Sequence, residues 1–178
     1  LYSSAASDVY KRQGYSSQGY AEDGFASSFG GSQSYVPSIK AFNIERAALD
    51  WLMTMSLEKM YERFTNLRIA SVENGSSFLP DLFRKLPQQK NKLMGWFKED
   101  PLEQFKEHVW INPFWEDDPN EVAEFMGSDR VIFGSDWPHI EGIPSPLDYV
   151  VELEDFNEQE RKRILLDNVL ELNEPTPL

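Results

Sequence analysis

Asp136 and His139 lie just beyond an apolar run, Val131-Ile132-Phe133, that ends at Gly134. A buried strand that stops at a glycine and presents a carboxylate and an imidazole from one turn is how α/β proteins place reactive groups. A carboxylate in that position can act as a general base or hold a divalent cation, and an imidazole can do either. The same residues have plainer uses. Asp136 can serve only to form the turn, by bonding to nearby backbone N–H groups. His139 can lock that turn by hydrogen bonding, and Trp137 can pack at a pocket mouth or be a core aromatic. A further carboxylate, Glu73, stands in the turn Glu73-Asn74-Gly75-Ser76-Ser77 after another short apolar segment. It can be an oxygen ligand for a metal or an ordinary turn residue.

These side chains need elements to carry them. Asn43 is a suitable cap for a helix over 43–64, in which Ile44, Ala47, Ala48, Trp51, Leu52 and Met55 recur at helical spacing. Residues 67–72 read as a short buried strand. Two helical pieces follow, over 79–86 and 90–97, interrupted at Pro87. Pro101 opens another helix to about Glu107, and 109–111 is a second strand closed by Pro113. Asp118 caps a helix begun by Pro119, carrying Val122, Phe125 and Met126 and stopping at Gly127. The third strand is 130–133. Residues 147–153 are helical, and Asn157 with Glu160 forms a capping-box start for a last helix to about Leu172. Strand and helix in strict alternation predict a parallel sheet with right-handed crossovers. Three strands cannot close a barrel, so the unit should leave strand edges uncovered.

The totals restrict what such a unit can be. The 178 residues suffice for one domain with a real core. Formal net charge is −13, and no cluster of Lys and Arg stands out along the sequence, so nucleic acid is not an expected partner. There is no cysteine, which leaves His, Asp, Glu and backbone oxygens as metal donors. No apolar run approaches the roughly 18 residues needed to span a bilayer, and no secretory pattern opens the chain, so a cytoplasmic protein with no membrane partner is expected. Residues 1–13 (LYSSAASDVYKRQ) match nothing that follows and look adapter-derived. Residues 14–40, rich in Gly, Ser and Tyr, read as a long loop, 41–173 as the folded part, and 174–178 as a tail.

Over residues 20–173 the chain resembles the amidohydrolase-related metal-dependent enzymes, including the aminocarboxymuconate-semialdehyde-type decarboxylases. The resemblance rests on Arg130-Val-Ile-Phe-Gly-Ser-Asp-Trp-Pro-His139, on Ser71-Val-Glu-Asn-Gly-Ser76 and on Ile164-Leu-Leu-Asp-Asn-Val-Leu-Glu-Leu172. It implies an α/β fold, the C-terminal part of a TIM-type (β/α)8 barrel containing its sixth to eighth strands. It also implies a metal-dependent hydrolase, in which activated water attacks a carbonyl-type substrate, or a non-oxidative decarboxylase of the same family. A metal-free binding protein on the same fold is the remaining alternative.

In that family the aspartate after the eighth strand binds or adjoins the metal and handles the proton, and Asp136 is its match. Trp137 and His139 would line the substrate pocket. Many members carry a metal-binding histidine after the sixth strand, where this chain has Glu73. That difference would shift a zinc site towards Mn²⁺ or Mg²⁺, or weaken it. His108, at the start of the seventh strand, reads as structural. The family's ligands from the first and fifth strands have no counterparts here, so this chain should be inactive alone. The expected partners of the full-length protein are a small-molecule substrate and further copies of itself.

Overall fold

A computed structural model describes residues 43–114, 116–135, 137, 143 and 145–174. The expectations for the adapter-like start, the 14–40 loop, Asp136, His139 and the last four residues fall outside them. The first helix, α1, is Asn43–Leu57. It ends sooner than its apolar spacing suggests because Lys59 turns left-handed, with φ 56°, and a short helix α2, Met60–Arg63, starts afresh.

Strand β1, Ile69–Ser71, pairs in parallel with β2, Val109–Ile111, with Ile69 opposite Val109 and Ser71 opposite Ile111. All three residues of β2 are buried, as expected of a strand covered on both faces. Between the strands run α3, Leu79–Lys92, and α4, Pro101–His108. The sequence suggested a break at Pro87, yet α3 runs through it. Leu79, Leu82 and Leu86 form one fully buried stripe, and that burial outweighs a missing N–H worth roughly 3 kcal/mol. The expected second helical piece is reduced accordingly. Its first three residues end α3, and an exposed loop replaces the rest. α4 begins as anticipated, with the Asp100 side chain accepting from Leu102 N.

After β2, Asp118 caps α5, Pro119–Met126, and Gly127 ends it with φ 88°. The expected third strand is shorter than its sequence suggests. Arg130 belongs to a 3₁₀ turn, Ser128–Arg130, and the third strand's only ladder pairing among the described residues is a parallel bridge from Ile111 to Val131. Ile132 N donates to the Ile111 carbonyl at 2.9 Å, but Phe133 N turns to the Ile164 carbonyl at 3.1 Å, in the last helix. The ladder therefore stops after one bridge.

A 3₁₀ helix, Pro146–Leu153, precedes the final helical stretch: α6, Glu158–Lys162, a π turn, Arg163–Asp167, and α7, Asn168–Asn173. Asn157 and Glu160 make the full capping box. In the π turn Asn168 N bonds to the Arg163 carbonyl, one residue further back than α-helix geometry requires. The fully buried Asn168 side chain donates to the carbonyls of Ser128 and Val131, at 2.8 and 2.7 Å. One helix thus grips the third strand at both ends. Arg68 closes the other side by donating to the Glu171 and Glu174 carbonyls.

The core packs Leu52, Tyr61, Leu82, Phe105, Val122 and Ile164 around the strands. No helix among the described residues is long and apolar enough to cross a membrane. Replacing Asn168 by Ala would leave the buried Val131 carbonyl and the half-buried Ser128 carbonyl without their donor, and is expected to cost about 1–3 kcal/mol in urea unfolding.

Candidate functional site

Parallel pairing brings the carboxyl ends of all three strands to one edge, so the turns after Ser71, Ile111 and Phe133 are neighbours. After β1 the chain bends sharply. Glu73 has φ 55° and Gly75 φ 64°. A left-handed conformation costs a residue with a Cβ roughly 1–2 kcal/mol, so the turn holds Glu73 under strain. The turn is fixed from inside by buried Asn74, whose amide donates to the Val72 carbonyl at 2.7 Å and to Ser71 Oγ at 3.3 Å.

The end of β2 supplies Asn112. Its backbone N–H donates to the Ser71 carbonyl at 2.9 Å, and its amide donates to the carbonyls of Ile132 and Pro113. Asn112 therefore ties the three strand ends together. Gly134 is glycine for want of space: a Cβ there would lie 2.7 Å from Asn112 Oδ1 and 3.0 Å from its Nδ2. Just beneath, Phe133 lies against the Tyr149 ring with centroids 4.7 Å apart. Tyr149 is buried, and its hydroxyl has no hydrogen-bond partner among the described residues. Burial, reinforced by Glu152, Asp117 and Asp118, pushes its phenol up to about 12.

Of the sequence-derived site residues, Glu73 and Trp137 are described. Glu73 stands half-buried at the strand edge. Trp137 is 62% exposed, and its backbone N–H donates to Ser135 Oγ at 3.2 Å. Asp136 and His139 lie outside the described residues. Ile143 N donates to the Ser135 carbonyl at 2.9 Å. His108 lies at the opposite end of β2. Its Nδ1 donates to the Leu67 carbonyl at 2.6 Å, and its ring stacks on Tyr61 at 5.0 Å, a structural role.

Among the described residues no group of three or more His, Asp or Glu side chains is placed to hold a metal ion. Glu73 supplies one oxygen donor of the kind that Zn²⁺, Mn²⁺ or Mg²⁺ accepts, and the described residues do not complete a shell around it. The acidic cleft of about 320 Å³ bordered by Glu116, Asp117, Asp118, Glu152, Glu154 and Asp155 does not change this, because no three of its carboxylates are grouped to hold a metal ion.

Asn74, Asn112, Tyr149 and Asn168 were not singled out from the sequence. The available signal was a polar residue next to apolar strand or helix positions, as Asn112 follows Ile111 and Asn168 follows Ile164 by one helical turn.

Gly134→Ala is expected to destabilise the chain by about 1–3 kcal/mol, and by less when combined with Asn112→Ala, a coupling that a double-mutant cycle in urea reads directly. A second expectation concerns alkaline pH. Tyr149 ionises later folded than unfolded, so its contribution to stability is complete below pH 10.0 and is lost as pH rises towards about 12. Tyr149→Phe should flatten that loss in denaturation curves taken between those values.

The comparisons fit this geometry. The model of the amidohydrolase family matches residues 36–172. An amidohydrolase from Mycobacterium avium subsp. paratuberculosis K-10 superposes with a TM-score of 0.70 at 41% identity, over 72% of this chain and 33% of that protein. The chain thus spans about a third of that relative's length. No curated protein matches. The parallel strands, their outer helices and the turn at the carboxyl end are part of a TIM-type barrel, and the chain belongs to the amidohydrolase family.

Proposed function

We propose that the full-length protein is a metal-dependent hydrolase acting on a small carbonyl-containing substrate. In this reading Asp136 takes the proton from the attacking water, and Glu73 is one oxygen donor to a divalent cation. The family generally binds such an ion. When bound, the cation would lower the pKa of water and polarise the carbonyl. Asp136 would also hand the proton on to the leaving group, while Trp137 and His139 border the substrate.

The observation that carries this reading is the strained backbone of Glu73 at the carboxyl end of β1, the edge from which the Asp136 turn also departs. A residue kept in a conformation that glycine adopts more cheaply points to a use for its side chain. Decarboxylation would need the same elements, with the proton delivered to the carbon that loses CO₂. Assaying amide, ester and lactone cleavage against CO₂ release with the full-length protein separates the two.

Glu73→Gly is expected to stabilise the fold by about 1 kcal/mol in urea while lowering the metal content of the purified full-length protein, measured by plasma mass spectrometry. Asp136→Asn is expected to reduce kcat by about 10²–10⁴-fold with little change in KM. A full-length protein that purifies without metal and gains no activity from added Zn²⁺, Mn²⁺ or Mg²⁺ would overturn the proposal and leave a metal-free binding protein.

A further inference from the structure

Three buried asparagines hold the strands and their turns, and they differ in the residue that follows each. Asn112 precedes Pro113 and Asn168 precedes Val169, whereas Asn74 precedes Gly75, the chain's only Asn-Gly pair. The difference is chemical. An asparagine side chain can be attacked by the backbone nitrogen of the next residue. Proline has no N–H to give up, and a β-branched side chain crowds the approach. Glycine presents neither obstacle.

The fold keeps Asn74 tied. The residue is 5% exposed, and its amide nitrogen donates to the Val72 carbonyl at 2.7 Å and to Ser71 Oγ at 3.3 Å. Both acceptors precede Asn74 in the chain, whereas the Gly75 nitrogen follows it. Gly75 is itself buried, and its N–H has no backbone acceptor among the described residues. The nitrogen that could attack is therefore uncommitted, while the carbon it would attack is held by its amide.

We propose that Asn74 is a deamidation site, which the folded turn guards and which opening of the turn exposes. Once the amide is released, the Gly75 nitrogen gives its proton to water or hydroxide and bonds to the Asn74 side-chain carbonyl carbon. The bond from that carbon to the side-chain nitrogen breaks, and ammonia leaves with a proton taken back from water. A second water adds to either carbonyl of the resulting five-membered imide and opens it. One product is aspartate. The other is isoaspartate, in which the main chain runs through the former side chain and is one atom longer.

Either product removes the donor that closes the turn. In aspartate a carboxylate oxygen would face the Val72 carbonyl, acceptor against acceptor. The altered turn opens more readily, so the fold that slows the reaction is not regained once it has occurred. This holds whether or not Glu73 binds a metal.

The test incubates the full-length protein at mildly alkaline pH, native and in urea, and maps the peptide carrying residues 71–76 by mass spectrometry. Asn74 should deamidate at least about tenfold faster in urea than in the native protein, and in urea ahead of the other asparagines of this chain. Gly75→Ala should slow the loss in urea, where no fold takes part. Asn74→Asp, which reproduces one product, should lower the urea midpoint. Equal rates with and without urea, earlier loss at another asparagine of this chain, or a Gly75→Ala protein that deamidates as fast in urea would each overturn the proposal. So would an Asn74→Asp protein with an unchanged midpoint.

Discussion

The hydrogen bond from Phe133 N to the Ile164 carbonyl is the tie on which the rest of the site depends. The strand after α5 pairs with β2 through one bridge only, too little to fix where its end lies. The last helix supplies the missing hold, because its π turn sends Asn168 N to Arg163 and Ile164 serves the strand. The Asn168 amide secures the other end of the strand through Ser128 and Val131. A regular helix would have its carbonyls occupied internally, so the irregularity is what makes the attachment available.

The three strand ends are spaced by amides instead of charges. Asn112 bridges Ser71, Ile132 and Pro113, and Asn74 closes the turn at Glu73. Neutral donors fix the backbone without adding a permanent charge at the strand ends. The tight fit of Asn112 against Gly134 then sets the distance between the second and third strands at their carboxyl ends. Tyr149 supports Phe133 as an uncharged ring over the physiological range.

Much of this was legible in the residues. The capping of α5 and α6 by Asp118 and Asn157 follows from short-range chemistry and agreed with expectation, as did the start of α4 at Pro101. The order of strands and helices and the family string around Asp136 identified the barrel. Where tertiary packing competes with local preference the reading was less secure. Pro87 lies inside a helix because its neighbours Leu82 and Leu86 are buried, and α1 stops early at Lys59 although its apolar spacing continues. The third strand shrank to a bridge because its second hydrogen-bonding partner is a helix, which apolar runs do not announce. The amide ties were illegible for a similar reason. Asn112 and Asn168 act over 20 and 40 residues, and nothing in their immediate neighbours names those partners.

The π turn also constrains how the chain can change length. Its five residues, Arg163–Asp167, carry a helix that has taken up one residue more than its hydrogen bonding can absorb. Deleting a residue there would restore an ordinary helix, the sort of change a surface helix usually tolerates. Each residue turns an α-helix by about 100°, so the deletion would swing Asn168 away from Val131 while Ile164 kept its place. The surplus residue works like a vernier, setting the helical phase of one anchor against the other, and lineages that keep both anchors are bound to keep the irregularity as well.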